Sequence, residues 1–177
     1  MIRPATSIII QTVAVPFIIA GVVTALLTMD GQSEAVQYGA VLPLAYLLGS
    51  ISWGYMLLRL RMGVDVRDYG SGRTGMSNVL RTGGAKLAAM VLTLDIAKGV
   101  MAVVIAPNTA EVAAAIIVLV GHNWPVFLQF KGGRGILTAL GGLAIMAPVP
   151  AILATATFLA VTAWSRYISL GSMVGVI

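Results

Sequence analysis

The chain has 177 residues, of which 59% are hydrophobic and only 10% are charged, and its mean hydropathy is +0.98. Soluble domains carry about a quarter charged residues, so this composition predicts an integral membrane protein. The absence of cysteine excludes disulfides and thiol chemistry, and the single histidine, His122, excludes a metal site built on a histidine cluster. The net charge of +5 is typical of a membrane protein with basic cytoplasmic loops or of a basic cleft for a phosphorylated substrate, and we expect no nucleic-acid partner.

Apolar segments of membrane length follow one another along the chain. The first covers residues 7–28 and favours a retained helix over a cleaved signal peptide, because no clear small-residue cleavage site follows it. The segment 136–147 is too short to cross a bilayer of ~30 Å, and a last segment, 167–177, is cut short. We therefore predict an all-α integral membrane protein, a polytopic helical bundle of about five to six complete or partial spans plus a truncated last span. The remaining segments are 36–58, 87–106, 112–130 and 151–164.

The charged residues are divided between the two ends of these segments. Asp30, Glu34 and Glu111 fall at one end, whereas nine of the eleven lysines and arginines fall at the other, where Arg3 also lies. The positive-inside rule places the basic end in the cytoplasm. The nine basic residues are Arg59, Arg61, Arg67, Arg73, Arg81, Lys86, Lys131, Arg134 and Arg166.

The loop 63–86 combines glycines, hydroxyls and arginines. Glycines let backbone amides approach an anion closely, and a helix beginning near Ser77 or Asn78 would direct its first amides the same way. Arginine adds a bidentate fork for phosphate. The residue pattern is equally consistent with a solvated basic loop. The candidate ligands are Gly70, Ser71, Gly72, Arg73, Ser77, Asn78 and Arg81.

A second glycine-rich segment, 130–135, precedes an apolar helix and again presents amides, cations and a helix N-terminus. It is not a Walker motif, because G-x-x-x-x-G-K-[ST] does not occur. Two such loops at one membrane face indicate phosphate binding more strongly than either alone.

Four further residues have both a functional and a structural interpretation. Asp95 and Lys98 share a helix face inside a span, where they form either the wall of a site or a structural ion pair. His122 is either a general base or, as its neighbours Trp124 and Pro125 favour, part of a helix-end packing motif. Ser169 lies at a helix start, where an N-cap is the structural alternative to a site.

Taken together, these segments resemble the bacterial membrane-bound glycerol-3-phosphate acyltransferase family that uses acyl phosphate, the PlsY type. The resemblance runs from about residue 40 to the end, in order and with short gaps. The matching strings are LLGSISWGY (47–55), GVDVR (63–67), GSG (70–72), NVLR (78–81), LDIAKG (94–99), GHNWP (121–125), FKGGRG (130–135) and RYISL (166–170).

The resemblance implies transfer of a fatty acyl group from acyl phosphate to the 1-hydroxyl of glycerol 3-phosphate, giving lysophosphatidate and phosphate, without a cofactor. The partners would be these two substrates and the lipid bilayer, in the bacterial inner membrane with the active-site loops cytoplasmic. Acyl-CoA is not the expected donor, and the His-x-x-x-x-Asp motif of acyl-CoA enzymes is absent, because Phe127 stands five residues after His122.

By the same resemblance, Ser71, Arg81 and Ser169 are catalytic: Ser71 contacts the reacting centre or the glycerol phosphate, Arg81 clamps the acceptor phosphate, and Ser169 adds a hydroxyl contact. Arg134 would bind the donor phosphate with the amides of the neighbouring glycines. His122 and Asp95 are possible further site residues. Substrate or phosphate contacts are implied for Gly70, Gly72, Arg73, Ser77, Asn78, Lys98, Gly132, Gly133, Arg134 and Gly135.

The sequence also departs from the family pattern. Residues 1–35 form an extra N-terminal transmembrane helix and turn, and 36–177 form an acyltransferase-like membrane domain that lacks the family's final His-Arg-x-Asn-Ile motif. We expect a fragment or a truncated gene product. Two alternatives to the enzyme are a non-catalytic phosphate- or phospholipid-binding paralogue and a small transporter. Four substitutions stand where the family has Asn, Ala, Thr and Lys, namely Arg73, Met76, Ser77 and Arg134.

Overall fold

A computed structural model describes residues 4–28 and 31–175, and all of the regular structure within those ranges is helical. Single turns of 3-10 helix occur at Val66–Asp68 and Val126–Leu128. The predicted positions of Arg3, Asp30 and Ile177 lie outside the described residues. The helices are α1 (Pro4–Thr28), α2 (Glu34–Ser50), α3 (Trp53–Met62), α4 (Met76–Val104), α5 (Glu111–Asn123), α6 (Ile136–Met146), α7 (Pro148–Ser165) and α8 (Ile168–Val174).

Five helical segments are long and apolar enough to cross a membrane, which confirms the predicted all-α polytopic bundle. The short helix α6 has 11 residues and reaches only about 16 Å, so it does not cross a bilayer of ~30 Å. Large apolar side chains on the outside of the bundle, such as Phe17 and Trp164, are exposed in the way that lipid contact requires. The five segments are Thr6–Ala25, Glu34–Met62, Met76–Val104, Glu111–Leu128 and Pro148–Ser165.

Two segments differ from the sequence prediction. The apolar segment 36–58 is not one helix, because the backbone leaves helical geometry at Ile51 and Ser52 and separates α2 from α3. Helix α4 extends beyond the apolar segment 87–106: it begins at Met76, close to the start considered near Ser77 or Asn78, and continues into that segment through a kink at Gly84, where φ is 82°. Glycine tolerates this conformation, whereas other residues are strained by it.

Close helix packing depends on small residues. Helix α2 lies beside α5, where a Cβ added to Gly49 would collide with the carbonyl of Val118. Helix α4 lies beside α6, where a Cβ added to Gly99 would collide with the carbonyl of Thr138. Backbones approach in this way in membrane bundles because lipid provides no hydrophobic force between helices.

The two basic loops meet at one end of the bundle. Arg67 donates from Nη1 to the carbonyl of Leu128 at 3.3 Å, which joins the loop after α3 to the loop after α5. At the other end, the hydroxyl of Tyr38 donates to the carbonyl of Thr109 at 2.6 Å and joins the starts of α2 and α5. The fold therefore brings the two glycine-rich segments together.

Candidate functional site

A cavity of about 220 Å³ lies where the two basic loops meet the starts of α4, α6 and α8. Its lining combines cationic and polar residues with apolar ones. The polar members are Ser71, Arg73, Ser77, Asn78, Arg81, Asp95, His122, Arg134, Ser169 and Ser172. The apolar members are Met76, Ile136, Leu137, Phe158 and Ile168.

Two helix N-termini open on this cavity. Helix α4 follows Gly75 and helix α6 follows Gly135, and both glycines line the cavity. The first amides of a helix have no intrahelical acceptor and carry the positive end of the helix dipole. The start of α6 depends on Gly135 itself, whose φ is 72° and whose added Cβ would collide with Leu119. The pair of termini is therefore suited to an anion.

Three arginines add to this positive field. Arg73, Arg81 and Arg134 line the cavity and are exposed. The ion pairs formed among the described residues involve Asp65 and Asp95 and include none of these three guanidinium groups. Each is thus free to form bidentate hydrogen bonds with a phosphate.

Asn78 builds the loop that carries Ser71. Its side chain is buried, and its Nδ2 donates to the carbonyls of Val66, Tyr69 and Arg73, each at 2.9 Å. Its Oδ1 accepts from the backbone amide of Ser71 at 3.2 Å. Asn78 lines the cavity, but its amide group is occupied by the loop, so it positions Ser71 rather than offering a free donor.

Two predicted glycines support this loop without lining the cavity. Gly70 has a φ of 53°, and a Cβ there would collide with Oδ1 of Asn78. Gly72 has a φ of 66°, and its amide donates to the carbonyl of Tyr69 at 3.0 Å. Their role in the structure is to close a tight turn.

The second loop uses its glycines in the same way. The amide of Gly132 donates to the carbonyl of Asn123, and that of Gly133 donates to the carbonyl of His122, both at 3.2 Å. Neither residue lines the cavity. The expectation that these two amides bind a phosphate is therefore at odds with the structure, because both are occupied by backbone acceptors. Gly133 instead packs directly on the imidazole of His122, where an added Cβ would collide with Nε2.

A buried polar cluster adjoins the cavity. Nδ1 of His122 lies 3.6 Å from Oδ1 of Asp95 and 3.2 Å from Oγ1 of Thr138. The same Asp95 oxygen lies 2.9 Å from Nζ of Lys98, without the alignment of a hydrogen bond, so this contact is an ion pair. Asp95 and His122 both line the cavity, so the buried cluster forms part of its wall.

Lys98 was expected to contact a substrate or phosphate, but its side chain lies away from the cavity. That side chain is almost completely buried. Its ammonium group donates to the carbonyls of Gly49 at 3.2 Å and Ile51 at 2.9 Å, at the break between α2 and α3. These contacts replace the predicted phosphate contact, because the donors of the ammonium are held by carbonyls and by Asp95.

An ion pair between Asp65 and Arg67 stabilises the first glycine-rich loop, 63–86. The carboxylate of Asp65 accepts from the amide of Arg67 at 2.9 Å and from its guanidinium at 2.7 Å. Burial opposes ionisation of Asp65, but these hydrogen bonds outweigh it and hold the pKa of Asp65 below its usual value of 3.8. The pKa of Arg67 is raised by the same hydrogen bonds. The guanidinium also lies 5.2 Å from the ring centre of Tyr55, a cation–π contact.

Ten of the predicted residues thus line the cavity. Five others do not, namely Gly70, Gly72, Lys98, Gly132 and Gly133. The structure also adds Phe158 and Ser172, which line the cavity, and Thr138, which contacts His122. No sequence signal distinguished these three, because each lies within an apolar segment without a neighbouring charge or motif. The ten are Ser71, Arg73, Ser77, Asn78, Arg81, Asp95, His122, Arg134, Gly135 and Ser169.

Comparisons with known proteins agree on one family. Residues 39–177 match the family model described as glycerol-3-phosphate acyltransferase. The chain is 45% identical over 136 residues to a glycerol-3-phosphate acyltransferase of Thermoanaerobacter pseudethanolicus, covering 75% of this chain and 69% of the relative. A relative of the same name from Clostridioides difficile is 42% identical over 153 residues, covering 81% of this chain and 75% of the relative.

Solved structures give the same result. The crystal structure of PlsY, an integral membrane glycerol 3-phosphate acyltransferase, in its glycerol 3-phosphate form superposes with a TM-score of 0.70 at 36% identity. The match covers 76% of this chain and 70% of that one. The lysophosphatidic acid form of the same protein gives a TM-score of 0.67 at 35% identity, covering 76% of this chain and 69% of that one.

Proposed function

The chain belongs to the glycerol-3-phosphate acyltransferase family, and from this premise we propose that it transfers a fatty acyl group from acyl phosphate to glycerol 3-phosphate. The 1-hydroxyl attacks the acyl carbonyl, the bond from that carbon to the phosphate oxygen breaks, and the hydroxyl proton leaves with the phosphate. The products are 1-acylglycerol 3-phosphate and inorganic phosphate. The observation that carries the proposal is one cavity whose lining combines three arginines, two helix N-termini and a set of apolar side chains.

The cationic side suits two phosphorylated substrates. Arg81 lies in the first helical turns of α4 and Arg134 immediately precedes α6, so each guanidinium accompanies one helix N-terminus. We assign the acceptor phosphate to Arg81 and the start of α4, and the donor phosphate to Arg134, Gly135 and the start of α6. Arg73 adds a third positive charge to the lining of the cavity. Positive groups arranged in advance also stabilise the charge that develops on the carbonyl oxygen and on the leaving phosphate.

The apolar side suits the acyl chain. Met76, Ile136 and Leu137 belong to the same helix starts as the proposed phosphate ligands, so a phosphate and an alkyl chain can lie side by side. Phe158 and Ile168 complete this wall from α7 and α8. An acyl phosphate is already activated, so the chain contributes mainly by positioning the two substrates.

The polar residues of the site have separate roles in this proposal. Ser71 and Ser169 contact the reacting groups, and Ser77 contributes a hydroxyl at the start of α4. Asn78 holds the loop of Ser71 in place through its four hydrogen bonds. Asp95 and His122 form the buried wall beside the reacting centre.

The basic end of the bundle faces the cytoplasm of a bacterial cell, with the helices in the inner membrane. The support is the placement of nine of eleven lysines and arginines at that end, as the positive-inside rule describes. Lipid is then the medium on the exposed apolar surface, and the acyl chain reaches the cavity from it.

The donor is tested with purified protein in detergent, glycerol 3-phosphate and either acyl phosphate or acyl-CoA of equal chain length. We expect lysophosphatidate from acyl phosphate alone. Formation of lysophosphatidate from acyl-CoA at a comparable rate would overturn the assignment of the donor. Binding of both substrates without product would instead identify a non-catalytic member of the family.

A further inference from the structure

The break between α2 and α3 exposes backbone polar groups inside the bundle. Ser50, Ile51 and Ser52 at this break are all buried. Groups at the ends of two helices lack intrahelical partners, and inside a membrane bundle each one must be satisfied by the protein. The partners found at this break therefore show which elements hold it.

Three elements reach the break from different directions. Lys98 of α4 donates to the carbonyls of Gly49 and Ile51. The hydroxyl of Ser50 accepts from the amide of Val126, in the loop that leads to Arg134, at 3.4 Å. The third contact comes from α1, where Oε1 of Gln11 accepts from the amide of Ser52 at 3.1 Å.

Gln11 is unusual for its surroundings. Helix α1 is an apolar span, and Phe17 and Leu27 on its outer side are more than 70% exposed, at 74% and 78%. Gln11 is 0% exposed, and its Nε2 is buried without a partner among the described residues. An amide side chain is costly to bury in a span, and here only its oxygen is used.

We propose that α1 is a working part of the acyltransferase and that Gln11 is a positioning residue for the break between α2 and α3. This helix lies outside residues 39–177, the part of the chain that matches the family model. The inference rests on the proposed function and extends it, because the family resemblance assigns no role to the N-terminal helix.

The break connects Gln11 with the cavity through a short series of buried contacts. Ser52 adjoins Ile51, whose carbonyl accepts from Lys98, and Lys98 forms the ion pair with Asp95. Asp95 in turn lies beside His122 in the cavity wall. If Ser52 loses its acceptor, the backbone at the break shifts, and Lys98 and Asp95 shift with it.

The test compares three versions of the full chain: wild type, Gln11→Met and Ser7→Ala. Methionine keeps the length of glutamine but removes the acceptor, and it also removes the unpaired Nε2. Ser7 is the matched control, because it is equally buried on α1 and lies one turn away. Acyl transfer gives kcat and KM, and hydrogen–deuterium exchange gives the protection of the backbone amides at residues 49–53.

We expect Gln11→Met to lower kcat by about 5- to 30-fold, which corresponds to one or two lost interactions of ordinary strength. The KM for glycerol 3-phosphate should change less, because the arginines are untouched. Amide exchange at 49–53 should become faster in this variant alone. Ser7→Ala should match the wild type in both measurements.

Two outcomes overturn the inference. One is a Gln11→Met variant with wild-type kcat, and the other is exchange at 49–53 that is the same in Gln11→Met and Ser7→Ala. A wild-type chain that transfers no acyl group contradicts the proposed function instead. In that case the exchange measurement alone tests whether Gln11 positions the break between α2 and α3, since it requires no turnover.

Discussion

Nδ1 of His122 lies 3.6 Å from Oδ1 of Asp95, and both side chains face the cavity that contains the three arginines. The negative charge of Asp95 is compensated from behind by Lys98, whose ammonium group is 2.9 Å away. Lys98 also joins this pair to the break between α2 and α3. The buried wall of the site and the packing of the helices therefore depend on the same ion pair.

Replacing Lys98 by methionine should destabilise the fold by about 3–5 kcal/mol, because it leaves Asp95 as an uncompensated buried charge. The double variant Lys98→Met/Asp95→Asn should regain only part of this free energy, since neither charge is then left alone but the carbonyls of Gly49 and Ile51 still lack their donor. Denaturant unfolding of the purified variants in detergent measures both values. A single variant as stable as the wild type would show that the pair does not hold the bundle together.

Substitution of Gly133 by alanine should impair catalysis through His122. The added Cβ would collide with Nε2 of the imidazole, so the ring must leave its present position beside Asp95. A displacement of about 1 Å can reduce activity by about 100-fold, and we expect a loss of kcat/KM of this order. Gly39→Ala is the control, because no heavy atom lies within 4 Å of the added Cβ. Equal activity of the two variants would exclude a role for the position of His122.

The pair formed by Asp65 and Arg67 should make stability depend on pH. The pKa of Asp65 is lower in the folded chain than its usual 3.8, because the hydrogen bonds from Arg67 outweigh the effect of burial. Such a group stabilises the fold above its unfolded pKa, and this stabilisation is lost as the pH falls through the folded pKa. The raised pKa of Arg67 affects stability only at strongly alkaline pH.

The measurement is the unfolding midpoint of wild type and Asp65→Asn between pH 7 and about pH 2.5. Wild type should be the more stable protein at pH 7, and the difference should shrink as the pH falls below about 4. A difference that is constant across this range would indicate that the charge of Asp65 contributes nothing.

Composition and periodicity were sufficient for the class of fold and for most of the spans. Apolar length identifies a membrane helix directly, because the bilayer sets a minimum length. The break at Ile51 and Ser52 could not be predicted in this way, since both flanking segments are apolar and no proline or charge separates them. The break depends on Lys98 and Gln11, which are distant in sequence.

The lining of the cavity was predictable where the residue type alone suggests the chemistry. Arg73, Arg81 and Arg134 were candidates because exposed cations beside glycines suit phosphate, and all three line the cavity. Gly132 and Gly133 were expected to offer free amides to a phosphate, but both amides donate to backbone carbonyls. A sequence does not reveal whether a backbone amide already has such an acceptor. The sequence also did not reveal that Asp95 lines the cavity whereas Lys98 does not. The helices packed around α4 determine which of the two side chains reaches the cavity.

The sidedness of the bundle can be measured because the chain contains no cysteine, so single cysteines are unambiguous. Gln32→Cys lies two residues before α2 and Arg61→Cys near the end of α3, both at exposed positions. A membrane-impermeant maleimide should label Gln32→Cys in intact cells and Arg61→Cys only after permeabilisation. The reverse pattern would place the basic loops outside the cell.

The most direct test of the account is acyl transfer by wild type, by Arg81→Ala/Arg134→Ala and by Arg61→Ala, with acyl phosphate and glycerol 3-phosphate as substrates. Arg61 is an exposed arginine at the same end of the bundle that does not line the cavity. We predict equal molar yields of lysophosphatidate and phosphate from wild type and Arg61→Ala, and a loss of about 1,000-fold or more in the double variant. Unchanged turnover in the double variant, or no turnover by the wild type, would contradict the assignment of this cavity as an acyltransferase site.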